Sequence, residues 1–472
     1  MSVSTGVDYT LIVTEDGNLY SCGKNDNGQL GLGIWGCIPG DRDKMLPTCI
    51  NSNEEVMDGE DVVMASAGIA HAGCVTSQGA VWTWGCGSYG ATGLGEGVEP
   101  DQISPQLIYY VPVTGIARPP AIMVACGCNF TLVLNASGRV WSCGRGDFGQ
   151  LGHGNDKNRG YLTEINPKHF DDRAIAMIAV GYGHSMAVEK DTGVLWTWGD
   201  PADGKLGHGD GPDNNLLPTA IPPATFHNTV AKAAAADAAE AGRGHVYVDD
   251  VVMSMDASET FTMIVTVGGV LWACGEGPSG ETGLDSRWRF DTFCRVGGPE
   301  HFGPGGVRMV TCGLCHSLIV AQNDSLWSCG SGDVPVLGLS PIDISFSDVL
   351  RPVRIPRTHF GNADIVVAAA GRTHSAAVTA AGVLYTWGRI RDPLAGFGHD
   401  SNDPQWEPRA VAPGTMNDER VGRWHGMLPE YILAFVMGLH ERIGSSSPMT
   451  EFPVEPMRQM LDGIRFLPHG FF

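Results

Sequence analysis

Seven copies of one pattern divide this 472-residue chain, and their length and number restrict what it can fold into. Each copy runs Gly-x-x-His or Gly-x-x-aromatic, then an apolar stretch, a turn, and an aromatic-rich stretch ending in a fixed glycine. The first reads Gly6, Tyr9-Thr10-Leu11-Ile12-Val13-Thr14, a turn at Asp16-Gly17, then Leu19-Tyr20-Ser21-Cys22-Gly23. The last reads Gly371, His374-Ser375, Val378-Thr379, a turn at Ala381-Gly382, then Val383-Leu384-Tyr385-Thr386-Trp387-Gly388. The anchoring glycines fall at 23, 85, 144, 199, 275, 330 and 388, a period of 55 to 62 residues with one longer gap. A repeat of that length made only of strand signals reads as a propeller blade. Seven blades close a ring, which leaves no open side to protect.

Each copy supplies a hairpin, and alternation such as Val81-Trp82-Thr83-Trp84 fits strands with two distinct faces. A third element follows the loop: Pro47-Thr48-Cys49-Ile50, Pro105-Gln106-Leu107-Ile108, Pro218-Thr219-Ala220-Ile221, Pro352-Val353-Arg354-Ile355 and Pro408-Arg409-Ala410-Val411. Proline cannot donate to a ladder, so these are edge strands at the rim. A fourth, small-residue strand leads into the next glycine, as in Val62–Ala67, Ile122–Cys126, Val307–Cys312 and Ile365–Ala370. Its Ala, Ser and Gly suit the narrow centre where seven strands converge.

Before the first copy stand only Met1–Thr5, and after Val411 no further small-residue strand follows. Ser2–Thr5 is therefore expected to complete the last blade and clasp the ring, with residues from Val421 onward as the alternative. The predicted fold class is all-β: a seven-bladed β-propeller over 1–415 with a short α-helical C-terminal tail over 416–472. In the tail, Leu428, Ile432, Phe435, Val436, Leu439 and Ile443 have helical spacing, and Gly444 stops the run. Val454–Phe466 is a second helix candidate. Two stretches depart from the repeat. One is Ile34–Asp61; the other, Phe226–Asp250, contains an Ala-rich helix candidate over 232–240 that ends at Gly242.

Thirty Lys and Arg against 52 Asp and Glu give a net charge of −22. That disfavours nucleic acid or an anionic membrane as the main partner, since both need basic patches. It suits a basic protein partner or simple solubility. No signal peptide is visible, and the apolar run Tyr431–Leu439 is too short to span a bilayer. Of thirteen cysteines, Cys22, Cys143, Cys274 and Cys329 occupy the repeat position that holds Trp84, Trp198 and Trp387 elsewhere. A position shared by Cys and Trp is a packed core site rather than half of a disulfide. The expected location is intracellular and reducing.

Gly371-Arg372-Thr373-His374-Ser375, Trp84-Gly85 and Gly28-Gln29-Leu30-Gly31-Leu32-Gly33 resemble the regulator of chromosome condensation repeat over about residues 1–412. The sixth and fifth copies are the most worn. Val334-Pro335-Val336-Leu337-Gly338 lacks the usual Gly-Gln-Leu-Gly, and Ser258-Glu259-Thr260-Phe261 lacks the leading glycine. The resemblance implies a binding platform. The founding member is an exchange factor for the small GTPase Ran that also docks on nucleosomes. Other members are scaffolds, ligase subunits, receptors or traffic regulators. By this resemblance, exchange uses acidic residues in the Gly-x-x-His turns and a wedge after a Trp-Gly anchor, all on one face. The acids in those turns here are Asp8 and Glu259, and the segment in the wedge position is Arg389-Ile390-Arg391-Asp392-Pro393. Asp8, Glu259, Arg389, Arg391 and Asp392 are thus the candidate partner-binding residues. The other turns carry no acid, and no projection is inserted after Gly388.

Other constellations have simpler readings. Cys312-Gly313-Leu314-Cys315-His316 spells a haem-attachment motif, yet Gly313 and His316 are the repeat's own Gly-x-x-His. His71, His184 and His374 share that position, and one histidine per blade is too dispersed for one metal; a turn-stabilising hydrogen bond is expected instead. Cys126 and Cys128 have no partner pair for zinc. No phosphate loop occurs, and the Asn-x-Ser/Thr triplets at Asn129, Asn135 and Asn323 are chance matches. No nucleophile–base pair stands out, so no enzyme activity and no cofactor or metal are expected. The function expected is a protein–protein interaction scaffold. Alternatives are a guanine nucleotide exchange factor for a Ran-like GTPase and a ubiquitin-ligase adaptor, since Met427-Leu428-Pro429-Glu430 resembles the opening of an F-box. A viral virion or host-interaction protein is a further alternative.

Overall fold

Alternating apolar residues separated by tight Asp-Gly or Gly turns fold here as antiparallel hairpins, and the hairpins assemble into seven four-stranded sheets. The computed structural model describes residues 2–33, 43–51, 56–95, 101–109, 119–209, 215–226, 251–389 and 405–411. Arg391, Asp392, the Ala-rich segment and the predicted helical tail lie outside them. Blade 1 is β1 (Ser2–Thr5), β2 (Tyr9–Val13), β3 (Leu19–Gly23) and β4 (Lys44–Cys49), hydrogen-bonded in that order. The remaining blades repeat the order, starting with β5 (Val62–Ala67) and ending with β28 (Gln405–Ala410).

The expected strand types are in place. The proline-bearing strands are the outermost in the five blades that have one, and the small-residue strands are the innermost. At the centre, short polar side chains on one inner strand cap the last backbone N–H of the next. Ser4 Oγ accepts from Ala67 N at 3.0 Å, Ser66 Oγ from Cys126 N at 3.0 Å, and Asp256 Oδ2 from Cys312 N at 2.8 Å. Thr311 Oγ1 accepts from Ala370 N at 3.2 Å in the same way. A bulkier residue there would crowd the centre and leave that amide unsatisfied.

The clasp expected of Ser2–Thr5 is overturned. That strand pairs with its own neighbour, Ser2 opposite Val13 and Thr5 opposite Thr10, and so completes blade 1. The last blade already holds its own inner strand, β25 (Ile365–Ala370), paired Ile365 to Thr379 and Ala370 to Ser375. The cause is local. Gly-x-x-His is a hairpin turn, in which Gly6 N donates to Tyr9 O at 2.9 Å and Gly371 N to His374 O at 2.9 Å. A three-residue link between two strands costs far less entropy than pairing strands from the two ends of the chain. The ring closes side-on instead. Val3, Ile12 and Tyr20 of blade 1 bury against Ala369, Ala376, Val378 and Leu384 of blade 7.

The same side-on packing makes the core everywhere, as where Phe130, Leu132 and Leu134 of blade 3 meet Ile178, Trp196 and Trp198 of blade 4. The twelve described cysteines are all free thiols. Cys22, Cys143, Cys274 and Cys329 are buried, as the repeat position required.

Candidate partner-binding face

Each anchor glycine sits where strand three ends beside the start of strand two. Gly85 has φ +92°, and a Cβ there would stand 2.5 Å from Ala70 O and 2.7 Å from His71 Cα. No other residue fits. This close approach brings the Gly-x-x-His turn and the loop after the anchor side by side, so both kinds of segment from all blades share one face of the ring.

Under that face the blades are bolted together. His71 Nε2 lies 2.9 Å from Thr131 Oγ1 of the next blade, and that hydroxyl donates to Ala91 O at 2.8 Å. His184, Thr262 and Lys205 O repeat the arrangement, as do His316, Ser375 and Val336 O. The hydroxyl's one proton goes to the carbonyl, so each imidazole donates from Nε2. Sequence reading expected these histidines to steady their own turns; they join neighbouring blades. His374 closes the ring by the same bond, 3.1 Å to Thr10 Oγ1. Burial pushes His71 and His374 down to about 4, and His184 and His316 down to about 3. His316 of the haem-like motif is engaged in this joint. The Cys312 thiol is raised well above its usual value by burial.

The carbonyl that receives the hydroxyl also takes the side chain of the Cys/Trp position. Trp198 Nε1 donates to Gln150 O at 2.9 Å, and Cys143 Sγ lies 3.7 Å from Ala91 O. Indole and thiol are therefore alternative donors to one acceptor, which is why both occur there. Gly152, with φ +75°, must be glycine, since a Cβ would stand 2.9 Å from Trp198 Nε1.

Asp8 is half-buried in the turn of blade 1, with its carbonyl accepting from Lys24 N at 2.9 Å. Glu259 is exposed in the turn of blade 5. Arg389 is exposed after the last anchor, its amide donating to Thr373 O at 2.8 Å. All three lie on the turn face. Blades 7 and 1 are neighbours, so Asp8 and Arg389 occupy adjoining blades, whereas Glu259 stands apart from them.

Sequence reasoning missed the aromatic part of this face. The residue preceding the Gly of each Gly-Gln-Leu-Gly-type loop is Asn27, Asp203 or Ser279 in blades 1, 4 and 5, but Tyr89 and Phe148 in blades 2 and 3. The Arg145 guanidinium lies 5.4 Å from the Tyr89 ring centre and 5.0 Å from that of Phe148, a cation held between two rings. Asp147 pairs with it at 2.9 Å. Tyr182, from the turn of blade 4, is exposed beside this group, and the adjacent Cys128 thiol holds its phenol above the usual value. Tyr89 keeps φ +60°, a conformation unusual for a large side chain, and is half exposed. Alignment of the repeats alone marks the two aromatics as exceptions to a polar position. Next to them the charge turns acidic, with Asp200, Asp203, Glu259 and Glu276 in blades 4 and 5. Lys205 is buried against Asp200 at 2.7 Å.

A ring of seven such blades, with a loop-built face and bolted joints, defines a repeat propeller of the kind that presents loops to other molecules. Residues 1–250 match the RCC1-like domain, more than half of the chain, and the protein belongs to that family. It is 33% identical to the ultraviolet-B receptor UVR8 of Arabidopsis thaliana over 214 residues, 45% of this chain and 43% of that one. It is 28% identical over 350 residues to the X-linked retinitis pigmentosa GTPase regulator homolog of Caenorhabditis elegans, covering 66% of this chain and 22% of that one. The chain thus spans less than half the length of these relatives. Among solved structures, Prp20p of Saccharomyces cerevisiae superposes with a TM-score of 0.66 at 18% identity, over 93% of this chain and 95% of that one. Human WBSCR16 gives 0.64 at 21% identity, over 80% and 87%. At such identities the structural likeness speaks for the fold alone.

Proposed function

We propose that the protein is a protein-binding scaffold that works through its turn face and performs no covalent chemistry of its own. The observation that carries this reading is the Tyr89–Arg145–Phe148 stack, in which Tyr89 is exposed and Arg145 and Phe148 are partly buried, with exposed Tyr182 beside it and the acidic residues of blades 4 and 5 at its border. Tyr and Arg dominate interface energetics, because they bury much area at little conformational cost. The acidic border suits a partner with basic residues. The chain with Arg145→Glu and Tyr182→Ala should lose specific partners that the unaltered chain retains, compared by quantitative mass spectrometry. Identical sets of retained proteins would overturn the assignment of the face.

Guanine nucleotide exchange on a small GTPase is a second reading, supported by Asp8 and Arg389 on adjoining blades of the same face. Prp20p, whose structural report names binding to Gsp1p and histones, shares the fold. Release of fluorescent GDP from a panel of small GTPases, Ran included, separates the two. Acceleration by orders of magnitude that is lost in Asp8→Ala or Arg389→Ala makes this an exchange factor. Unchanged release from every GTPase leaves the scaffold. The free cysteines and the absence of any disulfide among the described residues support a reducing, intracellular location.

A further inference from the structure

The two most exposed large apolar side chains among the described residues are Ile342, at 82%, and Trp288, at 81%. They stand on neighbouring blades of the turn face, apart from the Tyr89–Arg145–Phe148 stack. Trp288 lies two residues before β20 (Phe290–Gly297), whose first residue pairs with the anchor Gly275 of blade 5. Phe346, 59% exposed, lies three residues before Val349, which pairs with the anchor Gly330 of blade 6. Both loops therefore end at the rim of the turn face, and they are fastened to each other. Arg287 Nη1 donates to Asp348 Oδ2 at 2.6 Å, Asp285 N donates to Leu350 O at 2.9 Å, and Arg351 pairs with Asp285 at 2.9 Å. The blade 6 loop is also held from within, Phe346 N donating to Pro341 O at 3.1 Å and Ser347 N to Ile344 O at 2.9 Å. Its Phe346 ring rests edge-on against Trp406 of blade 7, 5.6 Å between centres.

Charge is balanced around these side chains. Residues 284–291 and 340–351 hold three arginines against four carboxylates, in a chain with 30 cations against 52. Arg287, Arg289 and Arg351 pair with Asp348, Asp291 and Asp285, which leaves Asp343 as the one carboxylate of the sector without an ion pair. The adjoining sector of the same face instead gathers Asp200, Asp203, Glu259 and Glu276. Two copies of a chain carrying −22 repel in most orientations, and a balanced sector is where they can approach. The two rings alone expose roughly 300 Å² per copy, since a whole aromatic side chain offers about 150–250 Å². With Ile342 and a polar rim, two copies reach the order of 1,000 Å² that a specific but weak contact needs.

We propose that this sector is a contact between two copies of the chain, related by a twofold axis. Trp288 of each copy packs on Ile342 and Phe346 of the other, and the two anchors flank a centre occupied by the Arg287–Asp348 pair. A twofold contact needs a surface that carries both halves of its own complement. Here the indole belongs to an Arg-Trp-Arg run and its receiver lies beside Asp343, so seating Trp288 brings Arg289 toward the second copy's Asp343. The Tyr89–Arg145–Phe148 stack sits on blades 2 and 3 and takes no part, so the scaffold reading and this one can fail separately.

Sedimentation equilibrium of the full chain should show a reversible monomer–dimer equilibrium. Trp288→Ser and the Ile342→Ser/Phe346→Ser chain should each dimerise more weakly by about tenfold or more, as loss of a central anchor implies. All three side chains are exposed, and unchanged melting temperatures verify that the variants fold. Mixing the two variants is the decisive arm. A mixed pair keeps one intact Trp288 contact where either variant alone keeps none, so the mixture should associate more tightly than both. The Arg145→Glu/Tyr182→Ala chain should dimerise like the unaltered one. A chain that stays monomeric, a dimer indifferent to the Trp288 and Phe346 substitutions, or a mixture no tighter than its components overturns the proposal. So does a dimer lost in Arg145→Glu/Tyr182→Ala but kept in Trp288→Ser, because it moves the contact to the other sector.

Discussion

The joint between blades 3 and 4 and the joint between blades 6 and 7 do the same job with different sequences. In the first, Gln150 O takes Trp198 Nε1 at 2.9 Å and Ser185 Oγ at 2.7 Å. In the second, Val336 O takes Trp387 Nε1 at 2.8 Å and Ser375 Oγ at 2.9 Å. One acceptor belongs to an intact Gly-Gln-Leu-Gly loop and the other to Pro335-Val336-Leu337-Gly338. The working group is a backbone carbonyl, so the side chain on it can change as long as the following glycine stays. Freed from the motif, the outer part of the blade 6 loop became a display for Ile342 and Phe346.

The largest effect should come from those following glycines. Gly152→Val and Gly338→Val each force a β-branched residue to positive φ and aim a side chain at an indole, 2.9 and 3.1 Å from Nε1. Each should cost about 3 kcal/mol or more, read as a lower urea midpoint. A harmless Gly338→Val beside a damaging Gly152→Val breaks the equivalence of the joints. Next come the histidines. Each folded pKa lies below the free value of 6.5, so the unfolded chain binds more protons. The resulting stability is present above pH 6.5 and is lost as pH falls toward 4 and then 3, about 1.4 kcal/mol per pH unit for each group. Asp256, raised to about 6 by burial, acts oppositely, removing stability as pH rises from 3.8 to 6. His316→Phe, which copies Phe130 at the 3–4 joint, should flatten the acid limb of a stability–pH curve by one histidine's share. An unaltered slope would place the acid sensitivity elsewhere.

Smaller again is the loss of one indole donor. Trp198→Phe and Trp387→Phe should each cost about 1–3 kcal/mol in chemical denaturation, and by similar amounts at the two joints. Phe346→Gly should be the mildest. It relieves a positive φ while losing an aromatic contact of about 1 kcal/mol, so the melting temperature should barely move. A large drop would mean that the blade 6 loop supports the ring rather than decorating it.

The blade count, strand order and buried Cys/Trp position were legible because each rests on periodicity or on a residue swap within the repeat. The phase was misread. Val62–Ala67 can be assigned to either neighbouring blade by composition, and the deciding feature is distance along the chain. Thirteen steps separate it from Cys49, while only Gly68, Ile69 and Ala70 separate it from His71. Among the candidate residues, Asp8, Glu259 and Arg389 share the turn face, and that much was readable because the turn and the anchor are covalently close to the repeat's fixed glycines. Tyr89, Phe148 and Tyr182 escaped a search for charge. Their exposure depends on a backbone angle at Tyr89 and on packing between blades, neither of which a list of acids and bases contains.

Because Ser2–Thr5 stays within its own sheet, every ladder is finished by strands drawn from one continuous stretch of chain. A ribosome making this protein delivers complete sheets one after another, and none waits for the opposite terminus. The only event left for the end is lateral, as the first and last sheets meet and His374 reaches Thr10. The same independence makes the boundaries between sheets interchangeable as starting points. New ends cut between two blades, with the old ends joined, would divide no sheet, and a whole blade is the natural unit by which such a gene lengthens or shortens.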